Sequence, residues 1–268
     1  MSTPNADDTL FVEERHARIV GYLEERGKAT VAELCERFGV SGATMRNDLR
    51  ALEKADRITR AHGGAMKRIR TGLELDSLEK EVQNRDAKRA IARAALELLD
   101  EGDTIALDTG TTTLELARLL KSYQHLTVVT NDLAIGMVLE ECPGVTTVFL
   151  GGTVRKRFHC TVPFGDLDTL LDELTVDKAF MGTNSFSPEE GASTPDLGTA
   201  HTKARLIRMA AKVILLCDAT KHGSRSFARF ASTGDIDVLV TDRCSEQLRS
   251  SLTGHGVEVI CATKGATI

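Results

Sequence analysis

Between residues 104 and 260 the chain repeats short apolar runs separated by helical patterns, and this alternation most restricts its fold. The runs fall at 104–107, 126–129, 146–150, 178–181, 213–217, 238–240 and 257–260. Apolar stretches of three to five residues suit strands of a buried sheet. Strands separated by helices therefore predict a mostly parallel α/β sheet. In such sheets ligands sit outside the carboxyl ends of the strands, so the loops leading into the helices hold the candidate site.

Those loops are polar. The first, Asp108-Thr109-Gly110-Thr111-Thr112-Thr113, follows a strand and opens a helix. Glycine there permits close backbone approach, and unpaired N–H groups with the hydroxyls of Thr111, Thr112 and Thr113 can cradle a phosphate. The loop lacks the lysine of a Walker motif, which argues against nucleotide hydrolysis. An ordinary helix cap rich in threonine is the structural alternative. Asn131, Gly152 with Arg155, Gly182 to Asn184, and Asp218 with Lys221 follow later strands. Lys203, in a helix after an expected flexible loop at 189–195, is a candidate cation for the phosphate. Each alone reads equally as a cap or turn, and their recurrence after successive strands is the signal.

The first 70 residues follow another pattern. Residues 10–25 carry helical periodicity closed by Gly27, and Thr30 with Glu33 forms a capping box for a short second helix. Gly39-Val40-Ser41 makes a turn in which Ser41 caps a third helix reaching Lys54. Met45, Leu49 and Leu52 are spaced to face a core, leaving Thr44, Arg46, Asn47 and Arg50 outward. Arginine can pair bidentately with guanine and asparagine with adenine, so Arg46 and Asn47 suit base edges and Arg50 suits phosphate. Residues 57–66 read as a two-stranded wing carrying Arg60 and His62.

Charge agrees with this division. Residues 41–70 hold eight basic and three acidic side chains, a net charge of +5 in a chain whose total is -5. A basic stretch on an acidic protein is the electrostatic footprint of a polyanion partner, here double-stranded operator DNA. A length of 268 residues suits the resulting division: a winged helix-turn-helix at 10–70, a linker at 71–77 and an α/β domain at 78–268, opening with a helix over 78–99. The six cysteines stand singly, with no metal-ligand spacing, so they read as reduced packing thiols. No cofactor or metal is expected. With no leader pattern and no apolar run long enough for a membrane span, a cytoplasmic location is expected. One winged helix reads few base pairs, so a homo-oligomer, dimer or tetramer, is expected.

Val31-Ala32-Glu33-Leu34, Phe38-Gly39-Val40-Ser41, Thr44 to Leu49 and Arg60 to Ala65 together resemble the DNA-binding signature of the DeoR family of bacterial sugar-metabolism repressors. Asp108 to Thr112, Thr130-Asn131, Leu150 to Gly152, Asp177 to Gly182, Thr202-Lys203 and Asp218 to Lys221 resemble its sensor domain. The resemblance implies a fold similar to ribose-5-phosphate isomerase, glucosamine-6-phosphate deaminase and CoA-transferases, and a phosphorylated sugar or polyol as effector. Asn47 stands where relatives usually carry a second arginine, which implies a different operator preference. Residues 198–201 lack the acidic residues common there, and Pro163 stands where glycine is frequent. The alternative is a sugar-phosphate isomerase or deaminase fused to a DNA-binding module, with His159, His201, His222, Asp108 and Asp218 as acid or base candidates.

If Arg46 reads bases, Arg46→Ala costs about 1 to 3 kcal/mol per half-site and relaxes operator preference. Arg50→Ala weakens binding to all sequences alike. Competition titrations of operator against random DNA check both; unchanged affinities for Arg46→Ala refute the helix assignment.

Overall fold

A computed structural model describes residues 12–55, 57–61, 63–67, 74–164 and 171–262. The chain forms two compact units, Met1–Arg70 and Thr71–Ile268. His62 lies outside the described residues, as do 71–73 of the expected linker.

In the first unit α1 (Val12–Arg26) is followed by β1 (Lys28–Thr30), α2 (Val31–Phe38), α3 (Gly42–Lys54), β2 (Ile58–Ala61) and β3 (Gly64–Lys67). Thr30 and Glu33 form the reciprocal capping box, and Gly39 ends α2 in the left-handed region at φ 66°. Ile19, Leu23, Leu34, Met45 and Leu49 are fully buried in one cluster, so the periodicity identified the right faces. The wing is three-stranded, in the order β1-β3-β2. Residues 28–30, expected only to link two helices, add its third strand because Gly64 pairs directly with Thr30.

Asp48 is the acidic side chain buried in α3. Arg15 donates to it from Nε at 2.7 Å and from Nη2 at 3.1 Å, and the His16 ring lies 3.1 Å away. Burial would raise the Asp48 pKa, but Arg15 and His16 hold it below the usual carboxylate range. The basic stretch thus keeps one of its few negative charges internally neutralised.

The second unit opens with α4 (Ser77–Val82) and α5 (Arg85–Leu96). The single helix expected over 78–99 is broken at Gln83 and Asn84, and Asn84 adopts the left-handed region at φ 50°. Asparagine tolerates this conformation, and the bend lets its amide reach Asp218. Then come β4 (Thr104–Leu107), α6 (Thr111–Ala117), β5 (Leu126–Thr130), α7 (Leu133–Glu140), β6 (Val145–Phe149), β7 (Thr153–Arg155) and β8 (Cys160–Val162). They are followed by β9 (Val176–Gly182), β10 (Ser185–Ser187), β11 (Gly191–Thr194), α8 (Leu197–Arg208), β12 (Ala210–Leu216), β13 (Ala228–Ala231), β14 (Val238–Thr241), α9 (Glu246–Gly254) and β15 (Glu258–Cys261).

Seven strands make one parallel sheet in the order β15-β14-β12-β9-β4-β5-β6. Ile105 and Leu107 pack on one face with Ile91 of α5, Leu116 of α6 and Ile135 of α7; Ala106 faces the other side with Leu206 of α8 and Leu252 of α9. Cover on both faces explains the continuous apolar runs. Residues 189–195, expected as a flexible loop, contain β11, whose four residues are buried in a small antiparallel sheet with β10 and β13. Small residues there lack the apolar signature of a strand, which hid it. Among the described residues, no helix is long and apolar enough to cross a membrane.

Asp48→Asn removes the carboxylate charge that Arg15 and His16 require, and costs the first unit about 1 to 3 kcal/mol. The depressed pKa sets the sign: the stabilisation is present above the unfolded value of about 4 and is lost as pH falls through the lower folded value. Urea unfolding at pH 7 and pH 3 checks this, with the difference between wild type and variant shrinking at the lower pH.

Candidate functional sites

In the DNA-binding unit, Ser41 caps α3 by accepting the Thr44 N–H at 3.1 Å, and the two hydroxyls lie 2.9 Å apart. Arg46, Asn47 and Arg50 are exposed on the outer face of α3. Arg50 donates to the Asn47 side-chain oxygen at 2.8 Å, so the groups expected to read base and phosphate separately are coupled in the free protein. Arg60 is half-buried on β2.

In the second unit, the parallel sheet reverses its winding between β4 and β9, and the polar groups gather at the carboxyl ends of these strands. Asp108, fully buried after β4, accepts the Gly182 N–H at 2.9 Å from the end of β9. The same carboxylate oxygen takes the ammonium of Lys203 from α8, which also donates to the Gly182 carbonyl at 3.1 Å. Lys203 is 3% exposed. Burial drives the Asp108 pKa upward against the pull of Lys203. Two residues expected to meet different parts of a ligand are therefore joined as an ion pair.

The threonine loop is only partly free. Thr113 donates its hydroxyl to the Gly110 carbonyl at 2.8 Å. The Thr109 hydroxyl and the Gly110 N–H both donate to Asp132 Oδ2, at 2.7 and 3.3 Å, while Asp132 Oδ1 caps α7. Burial raises the Asp132 pKa against these donors. Thr111 is half-buried and Thr112 buried. Gly152 has a local structural role: at φ 142°, a Cβ would lie 2.3 Å from the Val162 carbonyl, so this position admits the β8 backbone.

Three acceptors stand out, after β4, β5 and β12. Asp108 Oδ1, Asn131 Oδ1 and Asp218 Oδ2 are buried with no hydrogen-bond donor among the described residues. Asn131 spends its amide on the Thr161 carbonyl at 2.8 Å, and Asp218 Oδ2 has only the Lys221 ammonium, 3.4 Å away. The other Asp218 oxygen accepts from Thr220 and from the Asn84 amide. Burial would raise the Asp218 pKa, yet Lys221 and Thr220 hold it below the usual range.

The 74–84 segment and the first turn of α5 supply groups that the sequence reading missed. Lys88 is 4% exposed and donates to the carbonyls of Lys80 and Gln83; burial and then the charge of Lys221 lower its pKa to about 8. Lys80 and Arg155 converge on Glu74, at 2.6 and 3.1 Å. Arg155 also donates to Thr199 at 2.9 Å. A linker reading at 71–77 concealed Glu74, and a continuous helix concealed Lys80 and Asn84, whereas Asp132 stands in the polar loop 130–132 that the sequence shows after the second strand. A surface cleft lined by Leu171, Leu174, Arg205, Arg208 and Met209 lies near the amino ends of β9 and β12, away from these groups.

Among the described residues, no three or more His, Cys, Asp or Glu side chains are placed to hold a metal. Burial raises the thiol pKa values of Cys142, Cys160, Cys217 and Cys244, which suits packing rather than chemistry.

A winged helix with an outward basic helix, in one chain with a parallel α/β domain that gathers polar groups at its strand ends, defines a DNA-binding transcriptional regulator. Residues 15–69 match the DeoR-like helix-turn-helix domain and residues 83–243 the DeoR C terminal sensor domain, so the chain belongs to the DeoR family. It is similar to the HTH-type transcriptional regulator GlpR of Haloferax volcanii, 37% identical over 92% of this chain and 96% of that one. It is also similar to a putative aga operon transcriptional repressor of Escherichia coli O157:H7, 32% identical over 92% and 93%, and to the HTH-type transcriptional repressor GlcR of Bacillus subtilis, 31% identical over 94% and 96%. A ribose 5-phosphate isomerase A of Methanocaldococcus jannaschii is a distant structural match, with TM-score 0.39 and 20% identity over 52% of this chain and 55% of that one. Relatives of nearly full length with regulator names set aside the enzyme alternative: this chain is a regulator, not an enzyme.

Proposed function

We propose that the chain is a cytoplasmic repressor of carbohydrate-metabolism genes whose operator binding is controlled by a phosphorylated sugar or polyol. The observation that carries this reading is the set of buried acceptor oxygens on Asp108, Asn131 and Asp218, the last of them beside Lys221 and in the field of Lys88. A buried acceptor without a donor costs about 1 to 3 kcal/mol, and the hydroxyls of a polyol supply donors for all three. Lys88, Lys221 and the Thr111 and Thr112 hydroxyls then suit the phosphoryl group. Gly110, Thr113, Gly152 and Lys203 shape the site through the backbone and ion-pair contacts described above. The repressor names of two relatives favour repression as the output.

An effector that separates two arrangements of the regulator by about 1 to 3 kcal/mol changes operator affinity roughly 5- to 150-fold. A thermal-shift screen of sugar phosphates identifies the compound, since a ligand at 100 times its Kd adds about 2.7 kcal/mol, or about 5 to 10 °C. Thr111→Ala combined with Thr112→Ala leaves ligand-free operator affinity near wild type and erases the effector response. A retained response at the same concentration moves the phosphate elsewhere, and an equal response to the unphosphorylated sugar ends the phosphate premise. Reading an operator through one winged helix gives little contact, so two or more chains act together on spaced half-sites. Sedimentation checks this: a monomer at working concentration, with tight one-to-one operator binding, refutes it.

A further inference from the structure

Residues 74–84 form a strap fastened almost entirely by charge. Helix α4 buries no residue, and its apolar side chains Leu78 and Val82 are 66% and 78% exposed. The Ser77 N–H donates to the Arg157 carbonyl at 2.9 Å, Arg157 pairs with Asp76 at 2.5 Å, and Arg118 pairs with Glu81 at 2.8 Å. Asn84 reaches Asp218 and Thr220, each at 3.2 Å.

At its start lies Glu74, whose carboxylate joins Lys80 and Arg155 beside the Phe158 ring, with the cations 5.7 and 4.2 Å from the ring centroid. Thr199 fixes the Arg155 guanidinium from behind. Burial lowers the Lys80 pKa, Glu74 opposes this, and Lys221 and Lys203 add to the positive field. Asp196 also lies 3.5 Å from Arg155, at the start of α8, so the two cations face two carboxylates, and of these Glu74 comes from a segment with no apolar anchor.

We propose that Lys80 and Arg155 form a second anion subsite of the effector site, occupied by Glu74 in the free protein. A second acidic group on the effector takes it and releases the strap. The inference rests on the sugar-phosphate reading and refines it: the ligand that switches the protein is a doubly acidic sugar derivative, either a bisphosphate or a phosphorylated sugar acid. A singly phosphorylated sugar fills the Thr111 and Lys221 side and leaves Glu74 in place. Strong charge-assisted bonds to a phosphoryl or carboxylate group replace those of Glu74, so displacement needs no new cation.

The test titrates the full-length protein and Glu74→Gln by calorimetry with two matched pairs. These are fructose 1,6-bisphosphate against fructose 6-phosphate, and 6-phosphogluconate against glucose 6-phosphate. If Glu74 holds the subsite about nine-tenths of the time, its neutralisation tightens the doubly acidic member about tenfold or more and leaves the other within about twofold. A gain confined to the bisphosphate or to the sugar acid supports the proposal and identifies the second group. Equal gains in both members of each pair, or none, overturn it. In that case loss of binding in the Thr111→Ala, Thr112→Ala protein still upholds the effector reading. Binding of none of the four compounds to either protein overturns both. Hydrogen exchange on the wild-type chain needs no variant: the doubly acidic ligand must speed exchange of the 77–83 amides, while slower exchange there overturns the release.

Discussion

The ion pair between Lys203 and Asp108 ties together the part of the sensor unit where the parallel sheet changes direction. Two strands that meet there, β4 and β9, leave their carboxyl ends side by side. A buried charge pair fills the position and connects α8 to both strands through Gly182. Removing one partner of such a pair strands the other charge, which costs about 3 to 5 kcal/mol. One oxygen of Asp108 has no donor among the described residues, so the same carboxylate that holds the fold together presents chemistry to a ligand.

Much of this was legible from one sequence. The parallel sheet followed from the alternation of short apolar runs with helical patterns, because each crossover helix returns the chain to lay the next strand parallel to the last. Ser41, Met45 and Leu49 announced the helix-turn-helix through capping and spacing, since these are local effects. The polar strand ends at Asp108, Asn131 and Asp218 were visible as a recurring theme.

What the sequence concealed depended on distant partners. Nothing near Lys203 tells that its ammonium is spent on Asp108, 95 positions away. Gly152 was legible as part of a polar loop after a strand, but not its close approach to the β8 backbone. Residues 77–96 favour an unbroken helix by local propensity, and the interruption at Asn84 becomes intelligible only once Asp218 and Thr220 are placed beside its amide. Strand β11, built of Gly191, Ala192, Ser193 and Thr194, is held by its neighbours in the small sheet rather than by its own composition.

The bend at Asn84 joins a backbone torsion to binding chemistry. Its left-handed dihedral turns the chain between α4 and α5, directs its amide to the Asp218 carboxylate, and leaves the carbonyls of Lys80 and Gln83 where Lys88 caps them. Gln83 beside it is extended, so both residues would have to turn into the ordinary helical region for the hydrogen-bond ladder to run unbroken from Ser77 to Leu96. That rearrangement would also take an amide from the carboxylate and two carbonyls from the ammonium. The torsions of this two-residue joint and the hydrogen bonding of Asp218 and Lys88 are thus tied to one another.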